Sequence, residues 1–327
     1  PMWFWPSAVA CGNSFVVKPS EQVPLTQCRI FELMEEAGFP DGLVNMVHGD
    51  KEAVDVLLDD PRVRGVSFVG STPVARYIYE RSAKNGKRVQ CQGGAKNFIT
   101  VMPDVNLDAC LPNMIASYYG NTGQRCLAGA VLVAVGDRGD EVVDKFVAAS
   151  KEIRLGYGLD ENAQMGPLSG KRHMERVLDM IDKGVQEGAK LLLDGRNPKV
   201  EGYPEGFWVG PTIFDEVTPE MTIVREEIFG PVVSIVRVGD LDAAIELANT
   251  SKYGNASSIY TASGKAAREY KYRVHGGNIG INLGVAAPMA YFPFGGMKDS
   301  FLGDLHGQGK DGINFFTERK VVITRWV

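Results

Sequence analysis

Four consecutive residues concentrate the chemistry of this 327-residue chain: Gly123, Gln124, Arg125 and Cys126. A thiol is a weak nucleophile and a thiolate a strong one. A guanidinium beside Cys126 therefore favours the reactive form. Gly123 lets the backbone come close to a substrate where a side chain would block it. Two other segments could hold a ligand. In Phe68-Val69-Gly70-Ser71-Thr72 a predicted strand runs into glycine and then two hydroxyls at a helix start. Backbone N–H groups and the helix dipole there favour an anion such as a pyrophosphate. The same residues also make an ordinary Ser/Thr helix cap, and both readings stand.

Lys18-Pro19-Ser20-Glu21 follows the first predicted strand. A lysine and a carboxylate at the carboxyl end of a parallel strand lie where such sheets take ligands. The carboxylate can accept from ribose hydroxyls and would repel a 2′-phosphate, which favours NAD over NADP. The competing reading is a solvated turn. Glu226-Glu227-Ile228-Phe229-Gly230-Pro231 and Pro293-Phe294-Gly295-Gly296-Met297-Lys298 read, as bare patterns, as loops. Gly307, Gly309 and Gly312 match the dinucleotide spacing, but they follow no strand and precede a strand-like run at 313–316. The context fails and the match is discarded.

Composition excludes several classes. A net charge of −5 leaves no basic footprint for nucleic acid. No apolar run approaches the roughly 20 residues that cross a bilayer. The five cysteines are sparse, and none stands in CxxC or Cys/His ligand spacing, which argues for a reducing compartment and against a structural metal. Cys11, Cys28 and Cys110 read as buried packing residues, with Cys91 at a strand end. The four histidines, at 48, 173, 275 and 306, read as structural or surface residues. Pro1-Met2-Trp3-Phe4-Trp5-Pro6 has no charged n-region and is no signal peptide. It reads as the interior of a longer natural chain.

The elements that must position these residues alternate. Strands are expected at 13–18, 43–47, 63–69 and 88–92, with helices at 24–37, 52–58 and 73–83. That is the rhythm of βαβ units in a parallel sheet covered on both faces. After a boundary near Gly93-Gly94 come a strand at 97–102 and a long helix at 107–119 leading to the cysteine. Further strands are expected at 131–135, 190–193, 212–214, 232–238 and 257–260, and helices at 141–152, 173–187 and 241–249. The expected domains are 1–93 for cofactor binding, 94–300 for catalysis and a tail at 301–327. In the tail, residues 319–326 alternate like an exposed strand.

Taken in order, these segments resemble the aldehyde dehydrogenase superfamily over essentially the whole chain. They are KPSE (Lys18 to Glu21), FVGST (Phe68 to Thr72), QGGAKN (Gln92 to Asn97), GQRC (Gly123 to Cys126), EEIFGPV (Glu226 to Val232) and PFGGMKDS (Pro293 to Ser300). Within it, GAKN, the arginine before the cysteine and Ser300-Phe301-Leu302-Gly303-Asp304 most resemble the CoA-acylating methylmalonate-semialdehyde dehydrogenases. The resemblance implies an α/β fold with three parts: a Rossmann-like parallel-sheet cofactor domain, incomplete at the N-terminus, a second α/β catalytic domain and a C-terminal oligomerisation strand. It implies Cys126 as nucleophile, attacking the aldehyde carbon, with the Cys126 N–H holding part of the oxyanion. A hydride passes to NAD and leaves a thioester. Lys18 and Glu21 resemble the adenosine-ribose ligands and Ser71 the pyrophosphate contact, with Gln22 and Gly70 counted beside them. Glu227 resembles the residue holding the nicotinamide ribose, with Phe229 packing nearby.

Two departures carry specificity. Hydrolytic members have a glutamate where this chain has Gln92, and glutamine is no base at neutral pH. A thiol, coenzyme A, is then expected to take the acyl group. Arg125 is expected to pair with a substrate carboxylate in a bidentate fork; the competing reading is that it only tunes the thiol or pairs with an internal acid. The expected substrate is a small carboxylated aldehyde, malonate or methylmalonate semialdehyde, giving acetyl-CoA or propionyl-CoA with loss of CO2. The family's asparagine oxyanion donor would precede Pro1, so this polypeptide is expected to be poorly active or unstable alone. The alternatives are a hydrolytic aldehyde dehydrogenase and an inactive fragment with a binding or structural role. A homodimer or homotetramer is expected, without nucleic-acid or membrane partners, in the cytoplasm, or in the mitochondrial matrix if the source is eukaryotic.

Overall fold

Residues 97–101, 129–135 and 232–236 are mostly apolar and almost wholly buried on both sides of the chain, as in strands covered on two faces. The computed structural model, which describes residues 2–327, gathers them in the middle of a seven-stranded sheet. Its order is Asn278–Ile281, Ala256–Tyr260, Asn97–Val101, Gly129–Val135, Val232–Val238, Thr212–Asp215 and Lys190–Leu193. Every neighbouring pair is parallel except the last, which is antiparallel. The two-residue period splits the side chains between two cores. Ile99, Val101, Leu132, Val233 and Ile235 pack with the helices Leu107–Tyr119 and Gly139–Lys151. Phe98, Val131, Val133 and Val236 pack with Lys171–Gln186, Leu241–Thr250 and Gly264–Arg273. Asn106, Asp240 and Ser263 each accept a first-turn N–H of the helix they precede, worth about 1 kcal/mol apiece.

This sheet belongs to one of two compact units, made of Gly94–Ala287 and Gly295–Ser300. The other takes in the chain up to Gly93 together with Pro288–Phe294 and Phe301–Val327. Residues 301–327, set apart above as a tail, are thus part of the first unit. Phe301–Leu302 pairs antiparallel with Arg88–Gln92, which pairs parallel with Gly65–Val69. A separate parallel ladder joins Phe15–Val17 to Val44–Met46. Leu58, Ala75, Ile78 and Cys91 form the core under the three-stranded sheet, and Trp5, Val17 and Met34 a second one.

Two segments depart from expectation. The run at 313–316 lies mostly in a helix, Gly309–Phe315. Its apolar residues suggested a strand, but Gly312 and Phe315, three apart, are the ones buried, which is helical spacing. Residues 319–326 pair with no strand among the described residues. Alternation makes a segment strand-like, but a ladder partner makes it a strand, and the described residues supply none.

Candidate active site

The helix Leu107–Tyr119 delivers the chain to a left-handed turn. Asn121, Thr122 and Gly123 have φ of 53°, 57° and 70°. Such backbone costs a residue with a side chain about 1–2 kcal/mol, so it must be held. Asn121 Nδ2 donates to the Gln124 carbonyl (3.0 Å) and Thr122 Oγ1 to the Gly166 carbonyl (2.8 Å). Gln124 Oε1 accepts the Ser169 N–H at 2.9 Å. Gly123 does allow a close backbone approach, to Gly230: a Cβ on it would lie 2.3 Å from the Gly230 carbonyl oxygen.

Cys126 follows, with its peptide pinned. Asn97 Nδ2 donates to the carbonyls of Cys126 (2.8 Å) and Ala128 (2.7 Å), and Asn255 Nδ2 donates to the Cys126 carbonyl (2.7 Å). Asn97 Oδ1 accepts the Ala256 N–H at 3.1 Å. Burial pushes the Cys126 thiol up, and the Glu227 carboxylate pushes the same way. The N–H groups of Cys126 and Leu127 oppose this, and the Arg125 guanidinium opposes it least. The neighbouring cation therefore acts in the expected direction, but desolvation outweighs it and the resting group is a thiol.

Arg125 turns back on the helix that precedes it. Its Nη2 donates to the carbonyls of Ala116 (2.5 Å) and Ser117 (3.3 Å), in the last turn of that helix, where a cation complements unpaired carbonyls. Gly120 makes room: a Cβ there would meet Nη2 at 2.4 Å. The Nε of Arg125 is buried without a partner. Cys91 is a core residue whose thiol burial pushes up to about 12. Cys11, Cys28 and Cys110 are half-buried rather than buried, and Cys28 Sγ touches His48 Nε2 at 3.7 Å.

The loop at 226–231 is gripped from two sides. Glu227 Oε1 accepts the Ala95 N–H at 2.8 Å, and burial raises its carboxyl against the pull of that bond, Arg176 and Lys96. His173 Nε2 lies 2.7 Å from the Phe229 carbonyl, and Arg176 Nη2 donates to the Glu227 carbonyl at 2.8 Å. Phe229 has φ of 61°. Lys96 is buried beside these acids, its ammonium pushed down to about 7 by desolvation. Lys96, Asn97, Gly123, Arg125, Glu227 and Phe229 line one small cavity of this unit.

On the other unit, Lys18 Nζ donates to the Gly49 carbonyl (2.9 Å) and pairs with Glu21 Oε2 (3.2 Å). The exposed Glu21 carboxyl is held down first by a backbone N–H and then by Lys18. Gln22 is exposed, its N–H donating to Ser20 Oγ at 3.3 Å. Gly70 donates its N–H to the Gln92 carbonyl at 3.1 Å, and a Cβ on it would strike the Phe68 ring at 2.4 Å. Ser71 occupies the N-cap of Thr72–Lys84, yet its side chain makes no cap bond. A 13-residue helix whose N-cap side chain makes no cap bond, preceded by a glycine packed against the Phe68 ring, fits a phosphate at its N-terminus. These residues fit a dinucleotide.

The sequence profile of the aldehyde dehydrogenase family matches residues 1–322. The chain belongs to that family. Malonate-semialdehyde dehydrogenase 1 of Geobacillus thermodenitrificans is 50% identical over 327 residues, all of this chain and 67% of that protein. Methylmalonate-semialdehyde dehydrogenase from Oceanimonas doudoroffii, a solved structure, matches with a TM-score of 0.98 and 47% identity. A Sinorhizobium meliloti protein assigned the same activity, crystallised with NAD, matches with a TM-score of 0.98 and 46% identity. Each covers 100% of this chain and 67% of the other.

Within this aldehyde dehydrogenase chain, sequence reasoning missed Asn255, His173 and Arg176, and gave Asn97 no role of its own. Asn97 carried a signal, lying in a quoted motif. Asn255 carried none, since it reaches Cys126 across 129 positions. His173 and Arg176 stand on an amphipathic helix, where polar residues read as a solvated face.

Proposed function

We propose that this aldehyde dehydrogenase oxidises malonate or methylmalonate semialdehyde with NAD and passes the acyl group to coenzyme A. The observation that carries the reading is the pinned cysteine. Asn97 and Asn255 fix the Cys126 carbonyl and so the Cys126–Leu127 peptide, and the N–H groups of Cys126 and Leu127 both lie beside the sulfur, where an oxyanion would form. Cys126 sulfur, after losing its proton, bonds to the aldehyde carbon. Loss of hydride from that carbon leaves a thioester on Cys126. NAD supplies the hydride acceptor when bound. Lys18, Glu21, Gln22, Gly70 and Ser71 are proposed to hold its adenosine ribose and pyrophosphate, and Glu227 and Phe229 are proposed as ligands of its nicotinamide ribose.

Release favours a thiol. Gln92 is buried with both amide atoms unpartnered, and an amide takes no proton from water at neutral pH. The CoA sulfur bonds to the acyl carbon, and Cys126 leaves as thiolate. The β-carboxylate departs as CO2, its electrons accepted by the thioester carbonyl, and the enolate so formed takes up a proton at carbon to give the acetyl or propionyl group. Arg125 would pair with the substrate carboxylate. Nη2 already caps the helix, but Nε is a buried donor without an acceptor.

The experiment follows NADH and acyl-CoA from malonate semialdehyde, NAD and CoA. Both are expected to appear together; free acid without a CoA requirement overturns the thiolysis. Arg125→Leu is expected to raise KM for the semialdehyde far more than for propanal. The free thiols of all five cysteines suit the reducing cytoplasm. Exposed Val321, Ile323 and Trp326 support self-association as a dimer or tetramer.

A further inference from the structure

We propose that His173 and Arg176 are positioning residues that hold the loop at 226–231 in the conformation presenting Glu227. The proposal rests on the reading of Glu227 as a cofactor-binding carboxylate. Both residues stand on the helix Lys171–Gln186, three positions apart, so their side chains leave the same face. His173 meets the Phe229 carbonyl at 2.7 Å and Arg176 the Glu227 carbonyl at 2.8 Å. A carbonyl only accepts, so the His173 Nε2 carries the proton and donates.

The loop needs such a hold. Phe229 sits at φ 61°, a region that only glycine enters without cost, and its ring is partly exposed. Burial of its own ring therefore does not keep it there; the core anchors the loop at the neighbouring Ile228. The grip extends along the helix: a Cβ on Gly230 would lie 2.9 Å from Val177 Cγ2. On its opposite side, Gly230 presents its carbonyl to Gly123 of the cysteine loop. The loop is thus wedged between one helix face and the turn that carries Cys126. Without its two donors, Phe229 relaxes to a negative φ. The Glu227 side chain swings with it, away from the Ala95 N–H that orients the carboxylate.

The test uses His173→Leu, His173→Gln and Arg176→Met in the full chain, with two readouts. In the protein without cofactor, amide hydrogen exchange over 226–232 is expected to accelerate about tenfold in His173→Leu and Arg176→Met. It is expected to stay slow in His173→Gln, whose amide nitrogen can donate to the same carbonyl. In turnover, KM for NAD is expected to rise about tenfold in the first two variants with kcat changed less, and to recover in His173→Gln. Unchanged exchange in His173→Leu, or acceleration that His173→Gln does not reverse, overturns the proposal. If the unmodified protein makes no NADH from a semialdehyde, the proposed activity fails while the exchange measurement still decides the grip.

Discussion

The side-chain amide of Asn255 donates to the carbonyl of Cys126 at 2.7 Å, beside the same donation from Asn97. Two asparagines from neighbouring strand starts thus set the plane of one peptide. Each removed bond would leave a carbonyl lone pair unpaired, at a cost of about 1–3 kcal/mol. Asn255→Ala is therefore expected to lower kcat about tenfold or more with little change in KM for NAD, read by steady-state NADH formation. Asn97 bonds three backbone groups, so Asn97→Ala is expected to lower the melting temperature as well.

Cys126 reactivity should climb with pH. Burial raises the thiol, so the thiolate appears only above the usual thiol range. Alkylation of Cys126, followed by peptide mass spectrometry, is expected to accelerate steadily from pH 7 to 10. Glu227→Gln removes a charge that opposes ionisation and is expected to shift the profile toward lower pH. A rate already flat at pH 7 contradicts this.

Gln92→Glu restores a carboxylate able to accept a proton from water. The substitution is expected to raise CoA-independent release of free acid about tenfold or more, measured as NADH formed without CoA. Gln92→Asn, which adds no base, should not.

Gly123→Ala meets both a left-handed φ of 70° and a carbonyl 2.3 Å from the new Cβ. A loss of about 2 kcal/mol or more is expected, seen as a lower denaturation midpoint. Gly158→Ala, where nothing lies within 4 Å, is the matched control and should be close to neutral.

Many elements of both units were legible in the sequence because their signals are local. The strands at 88–92, 190–193 and 232–238 and the helix at 107–119 stand where they were expected. Their periodicity reports burial directly. Short strands at Tyr253–Gly254, Met297–Lys298 and Phe301–Leu302 were not legible, because two residues carry no period. The helix Gly264–Arg273, rich in charge, offers only a weak apolar stripe.

Cys126 and Gly123 announced themselves through residue type and neighbours, because reactive groups and tight turns are local properties; Glu227 read as part of a loop until the family resemblance gave it a role. What surrounds Cys126 was decided by the tertiary structure. The sequence put a cation next to the thiol and suggested an activated nucleophile; the fold turned that cation onto Ala116 and buried the sulfur, and desolvation won. Ionisation and orientation depend on what packs within a few ångströms. Asn97, Asn255, His173 and Arg176 reach the site from distant parts of the chain, and only folding brings them there.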